Sequence, residues 1–370
     1  MADPGNQQGL SESIDLSPVL GAFVDNPAGV KTIAPLGAGN INDTFLVTRT
    51  DLPGLVVQRI NQTVFPDPVC VATNVALVSG HLQERSSSGL PASARVRFPE
   101  VIGTVDGRNY WEDRYGSVWR CLSYIDGTVS YEQLSNKQQP VEVGRVLGSF
   151  HGLLSDFDTS LLCDPLPGFH DLQSYREAYL SAISRHLRPT GAAFDYCRDS
   201  VEKRLEIPDL KSLARKGQAT PVVIHADPKL DNFLFNSASG RAESLIDLDT
   251  VSAGLVAMDL GDCLRSLGNP AGEKGIESRV YFDIEVAQLL LDGYRQRAML
   301  SESDRNLIYQ GLRLQTYELG LRFFTDYLAG DRYFKIQRRD ENLRRAMVQF
   351  TLLESIEKQR SSIETAVGAG

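Results

Sequence analysis

The chain has 370 residues, 42% of them hydrophobic and 23% charged, with a net charge of −9 at pH 7. This is ordinary globular material, long enough for two lobes around one cleft. No run approaches the ~20 apolar residues of a bilayer span and no Lys/Arg block stands apart from the acidic residues, so neither a membrane nor nucleic acid is an expected partner.

Taken in chain order, residues 1–29 are rich in Pro, Gly, Gln and Ser and read as a flexible N-terminal arm, although Ile14 to Val24 could close into a short helix. The polar start Met1–Gln8 lacks a charged-then-apolar secretory pattern, so a cytoplasmic protein is expected. Residues 30–125 are strand-rich: Thr32–Leu36, Phe45–Thr48 and Leu55–Gln58, with Asp51–Gly54 turning between the last two. This segment reads as a nucleotide-binding lobe. Its loop Gly37-Ala-Gly39-Asn40 could let backbone amides approach phosphates, which makes Gly37, Gly39 and Asn40 candidates for nucleotide contact. A helix from Val69 to about Arg85 follows, then strands near Arg108–Trp111 and Val118–Tyr124 that meet a hinge at Asp126-Gly127. Backbone groups near Ser123 to Asp126, Tyr124 and Ile125 among them, are expected to meet the adenine edge.

Residues 126–370 turn helical. Helices are predicted over Val141–Leu154, Tyr175–Leu187, Ile284–Leu300, Arg305–Leu328 and Arg339–Val367, with a cap at Ser301-Glu-Ser-Asp304. His151 reads as a packing histidine. A small, mainly β lobe before a larger helical lobe predicts an α+β, two-lobed, protein-kinase-like architecture. The cysteines, Cys70, Cys121, Cys163, Cys197 and Cys263, are odd in number and far apart. They show neither a zinc spacing nor a disulfide framework, and each reads as a small buried hydrophobe in a reducing compartment.

The chemistry concentrates in Val222-Val-Ile-His225-Ala-Asp227-Pro-Lys229-Leu-Asp-Asn232-Phe-Leu-Phe235, followed by Leu245-Ile-Asp247-Leu-Asp249. The order is strand, polar loop, hairpin, carboxylate. Transfer of a γ-phosphoryl group needs charge neutralisation and in-line positioning more than covalent help. An amide oxygen at Asn232 and a carboxylate at Asp247 suit a hard cation such as Mg²⁺ held with ATP. Asp227 is placed to align an acceptor hydroxyl and take its proton, and Lys229 to bring a positive charge to the phosphoryl oxygens. His225 is expected to brace the loop, and Asp259 and Asp262 to fix it through hydrogen bonds and an ion pair with Arg265.

At these residues the chain resembles the aminoglycoside phosphotransferase and choline kinase superfamily. Asn40–Val47, Gln58–Asn61, Thr128–Tyr131, Ile246–Thr250, Asp259–Asp262 and Arg322–Phe334 further resemble the anomeric N-acetylhexosamine kinases, with similarity from about Ile33 to about Ile356. That resemblance implies an ATP-dependent enzyme phosphorylating the anomeric hydroxyl of N-acetylglucosamine or N-acetylgalactosamine. By it, Asp227 is the catalytic carboxylate, Asn232 and Asp247 hold metal, Asp227 and Asp247 also face the substrate, and Arg322 with Tyr333 contacts the sugar.

Two features depart from the usual kinase pattern. Where the third strand of kinases carries a phosphate-binding Lys, Leu55-Val-Val-Gln58-Arg59 offers Gln58 or Arg59, only one of which can face the phosphates. The following helix has Ala76 where a partner Glu is expected. A relaxed phosphate clamp is the reading taken; an amino alcohol, homoserine or aminoglycoside kinase, and an inactive nucleotide-binding scaffold, are the alternatives.

Overall fold

The computed structural model describes residues 15–24, 27–37, 41–87, 96–185, 190–215, 219–275 and 279–368. The chain forms two compact units, residues 1–62 with 101–124, and residues 63–100 with 125–370.

In the first unit, helix α1 (Ser17–Phe23) precedes strands β1 (Val30–Pro35), β2 (Asp43–Arg49) and β3 (Leu52–Arg59), and the later strands are β4 (Val101–Ile102), β5 (Trp111–Glu112) and β6 (Val118–Ser123). They form an antiparallel sheet in the order β1-β2-β3-β6-β4, with β5 also pairing β6. Alternation along the strands decides the faces. Val47, Leu55, Val57, Trp119 and Cys121 share a buried cluster with Leu16, Val19, Leu20, Ala22, Phe23 and Val24. Within the segment expected as a loose arm, residues 16–24 are therefore part of a core, because the apolar face of α1 covers an apolar sheet face.

The second unit begins with α2 (Pro68–Ser87) and continues through β7 (Thr128–Val129), α3 (Gln138–Leu153), α4 (Leu172–Ile183), α5 (Ala192–Glu202) and α6 (Leu210–Arg215). Then come β8 (Val222–Ile224), β9 (Phe233–Asn236), β10 (Ala242–Leu245), β11 (Ser252–Gly254), α7 (Val256–Leu267), α8 (Ile284–Arg295), α9 (Glu302–Ala329), α10 (Glu341–Lys358) and α11 (Arg360–Gly368). The strand-rich first unit and helical second unit match the expected architecture.

Helix α2 was expected to travel with the nucleotide-binding segment, yet it groups with the second unit. Asn74, fully buried, explains the attachment: its Nδ2 donates to the Cys163 and Val251 carbonyls at 2.9 and 3.0 Å. Cys70 on the same helix forms a disulfide with Cys163, which corrects the expectation that all cysteines are free; Cys121, Cys197 and Cys263 are free and buried. Their separation of 93 residues hid the pair from any spacing rule.

The long helix α9 organises the second unit. It starts at the expected cap, where Ser301 and Asp304 form a capping box, and ends at Gly330 in the left-handed region at φ 96°. It crosses α7 where Gly261 meets Gly311, so closely that a Cβ on either would collide with backbone of the other helix region. The single helix expected over Arg339–Val367 is two, α10 and α11, divided at Gln359. No helix among the described residues is long and apolar enough to cross a membrane.

Candidate active site

The second unit brings the loop residues together. Strand β8 pairs with β11, and the hairpin β9-β10 aligns Phe233 with Leu245. Asn232 therefore sits just before one hairpin strand and Asp247 just after the other, tied by the Ile246 N–H donating to the Asn232 carbonyl at 2.9 Å.

Between β8 and β9 the backbone takes a conformation that an L-residue resists. Ala226 has φ 68° and Asp247 has φ 65°, each at a cost of about 1–2 kcal/mol. Such geometry persists only when the surroundings enforce it. Asp259, fully buried on α7, accepts the His225 N–H at 2.7 Å and the Ala226 N–H at 2.8 Å. Burial alone would raise the Asp259 pKa, but hydrogen bonding and charge from His151 and His225 hold it below the ordinary carboxylate value. His151 lies 3.0 Å from Asp259 through Nε2 and 2.9 Å from the Tyr294 hydroxyl through Nδ1, so it is the packing histidine expected.

His225 braces the loop as anticipated. The Asp227 N–H donates to its Nδ1 at 3.2 Å, which leaves the proton on Nε2 to be donated to the Ile246 carbonyl at 2.8 Å. The Thr250 hydroxyl donates to the His225 carbonyl at 2.7 Å. Asp262 and Arg265 form the expected ion pair at 2.7 Å.

Asp227 and Lys229 are both about one-third exposed, with Lys229 Nζ 3.0 Å from Asp227 Oδ2. The Asp227 carboxylate, helped by Asp231 and Asp247, pushes the Lys229 pKa well above the usual lysine value against the effect of burial. Lys229 is consequently a fixed positive charge and not a base.

Asn232 donates through Nδ2 to the Asp227 carbonyl at 2.9 Å, and its Oδ1 accepts no hydrogen bond among the described residues. The Asp247 pKa is pushed up to about 6, first by burial and then by the Asp249 and Asp227 carboxylates. A carboxylate open to solvent but crowded by the Asp249 and Asp227 charges, beside an amide oxygen, fits a hard divalent cation. No cluster of three or more His, Cys, Asp or Glu among the described residues forms a closed cage. Two protein ligands suit a metal whose remaining ligands are phosphate oxygens and water.

On α9, Arg322 occupies an aromatic box. Its guanidinium carbon is 5.4 Å from the Phe169 ring, 5.2 Å from Tyr175, 5.7 Å from Tyr333 and 5.5 Å from Phe334. The rings engage the group by cation–π attraction. Among the described residues its N–H groups make no hydrogen bond or ion pair, while the Asp227 carboxylate lies within electrostatic reach. Asp326, one turn along α9, shapes this wall: its carboxylate accepts the N–H groups of Arg332, Tyr333 and Phe334 at 2.8–2.9 Å and the Asn342 amide at 3.0 Å. Arg322 and Tyr333 are thus brought together as the sequence suggested. Tyr333 itself remains 61% exposed.

In the first unit, Gly37 has φ 71°, and Gly39 and Asn40 lie outside the described residues. Gln58 and Arg59 have different partners. Gln58 pairs across the sheet with buried Arg120 and accepts its guanidinium at 2.8 and 3.0 Å, whereas Arg59 turns to Asp43 at 2.6 Å. The cation beside Gln58 is therefore Arg120, from the neighbouring strand. The Tyr124 N–H donates to the Gly54 carbonyl, and the Ile125 carbonyl accepts the Thr128 hydroxyl, so both groups already have internal partners.

Sequence reasoning missed Phe169, Tyr175, Asp326, His170, Glu318 and Arg120. Asp326 carried a usable signal, four residues after Arg322 and before a turn-rich stretch. The others had none, because their partners are distant in the chain.

The model of the phosphotransferase enzyme family, APH, matches residues 32–300. Among solved structures, the chain is similar to an aminoglycoside phosphotransferase from Alicyclobacillus acidocaldarius, at 15% identity and TM-score 0.60, covering 94% of this chain and 96% of that one. It is also similar to a microcompartment-associated aminopropanol kinase, at 16% identity and TM-score 0.60, covering 92% and 96%. An amicoumacin kinase in complex with AMP-PNP, Ca²⁺ and Ami matches at 14% identity and TM-score 0.57, covering 95% and 94%. With most of its length matched by the family model, the chain belongs to the APH phosphotransferase enzyme family, and it has the protein-kinase-like fold of these structures.

Proposed function

We propose that this kinase phosphorylates the anomeric hydroxyl of an N-acetylhexosamine, GlcNAc or GalNAc, using Mg²⁺ and ATP in carbohydrate metabolism. The observation that carries the reading is the Arg322 box. A guanidinium surrounded by four rings and making no hydrogen bond or ion pair among the described residues keeps its N–H groups for oxygen acceptors, and exposed Tyr333 supplies an apolar surface for a sugar ring. A fixed cation here also disfavours a cationic acceptor.

In this reading Asp227 orients the acceptor hydroxyl and takes its proton, and Lys229 keeps positive charge beside it. Asn232 Oδ1 and Asp247 would hold the metal, which when bound neutralises phosphate charge and aligns the terminal phosphate. Gly37, Gly39, Asn40 and the Gln58 position, with Arg120 beside it, are assigned to the nucleotide. The contacts made by Arg59, Tyr124 and Ile125 weaken their claim to that role. A cytoplasmic setting is proposed because ATP is available there; the Cys70–Cys163 disulfide is the observation against it.

The second reading, an amino alcohol or aminoglycoside acceptor, draws on the names of the structural neighbours. A panel comparing kcat/KM for N-acetylhexosamines, aminopropanol, choline and aminoglycosides separates the two. The proposal expects the N-acetylhexosamines to lead, and preferential turnover of the amines would overturn it.

A further inference from the structure

Asp259 holds the strained Ala226 by its N–H, but the Ala226 carbonyl belongs to the next peptide plane, which the long 3.2 Å bond from the Asp227 N–H to His225 Nδ1 holds only loosely. The other side is held by a residue that no reading of the loop supplies. His170, buried and itself at φ 55°, places Nε2 2.9 Å from the Ala226 carbonyl oxygen and Nδ1 2.8 Å from Glu318 Oε1. A carbonyl oxygen can only accept, and so can a carboxylate. Both ring nitrogens must then carry hydrogens, and His170 is an imidazolium. Its pKa is raised accordingly: burial works against the charge, and the Glu318 and Asp262 carboxylates with the Ala226 carbonyl outweigh it.

Glu318 is 1% exposed, and its second oxygen, Oε2, has no hydrogen-bond partner. It stands between His170 and Arg322, one helical turn further along α9, and acts electrostatically on both. A buried carboxylate so placed is retained for its charge.

We propose that His170 and Glu318 are a positioning pair: Glu318 keeps His170 a double N–H donor, and His170 fixes the Ala226 carbonyl and thereby the direction of the Asp227 side chain. This rests on the reading of Asp227 as the residue that orients the acceptor. The pair also links the catalytic loop to the helix that carries Arg322, so the two walls of the acceptor site share one strut.

The test uses His170→Gln, Glu318→Gln and the double variant in the full chain, with Asp227→Asn in parallel. Each single variant is expected to lower kcat by about 10- to 100-fold with KM for ATP within about twofold, measured at a temperature where the variant is folded because a buried charge left unpaired lowers the melting temperature. The double variant should be no worse than the poorer single one, because the two act as a unit. Unchanged kcat in both single variants, or a KM for ATP that rises as much as kcat falls, overturns the pair. If Asp227→Asn retains normal kcat, the reading of Asp227 fails instead. The unmodified enzyme supplies a readout that requires no variant to fold. Imidazole ¹⁵N spectra at pH 8, with the ring assigned to His170 through its own side-chain protons, should show both nitrogens protonated, and a singly protonated His170 ring overturns the proposal.

Discussion

The catalytic loop and the Arg322 wall lie in the same unit but are built by different physics. In the loop, His225, Ala226 and Asp227 have their backbone groups claimed by buried side chains, Asp259, Thr250 and His225 itself among them. In the wall, Asp326 ties the backbone of residues 332–334, but the side chains around Arg322 meet it through edge-on ring and cation–π contacts, and Tyr333 is left largely in solvent. Hydrogen bonds have narrow angular tolerance, while ring contacts tolerate displacement. Under the proposed function, directional bonds lie where a proton would move and adaptable surfaces where the acceptor would be chosen.

The largest effect should come from breaking the loop at its reacting end. Asp227→Asn is expected to lower kcat by about 10³-fold, while the thermal shift given by Mg-ATP survives; an intact kcat removes Asp227 from its role. Removing the anchor beneath it is next. Asp259→Ala strands two buried N–H groups and should cost about 3 kcal/mol in urea unfolding, against no change if the loop holds itself. In the wall, Arg322→Ala should lower kcat/KM for the acceptor by about 50-fold, near 2–3 kcal/mol, with KM for ATP unchanged; equal effects on both substrates would erase the contrast between the two regions. Tyr333→Ala should be smallest, within about fivefold in acceptor KM, and within about 0.5 kcal/mol in stability as expected for an exposed side chain.

The same contrast explains what could be read from the chain. Asp227, Lys229, Asn232 and Asp247 were visible because one strand, loop and hairpin fixes their spacing. Asp259 and Asp262 were visible because carboxylates beside an apolar stretch need a buried partner. His170 and Glu318 were not, since they are 148 residues apart and neither has a local pattern. The same holds for Cys70 with Cys163. Strand alternation separates Gln58 from Arg59, but their partners, Arg120 and Asp43, lie on neighbouring strands and had no local signal. Residues 16–24 looked like a loose arm because the sheet face that α1 covers lies later in the chain.

The central claim is transfer of a phosphoryl group to a sugar's anomeric oxygen, and ³¹P NMR of the product formed from Mg-ATP and an N-acetylhexosamine tests it most directly. The account predicts a phosphorus resonance coupled to the anomeric proton. Coupling to the C6 protons, or ADP release only with amine acceptors, would contradict it.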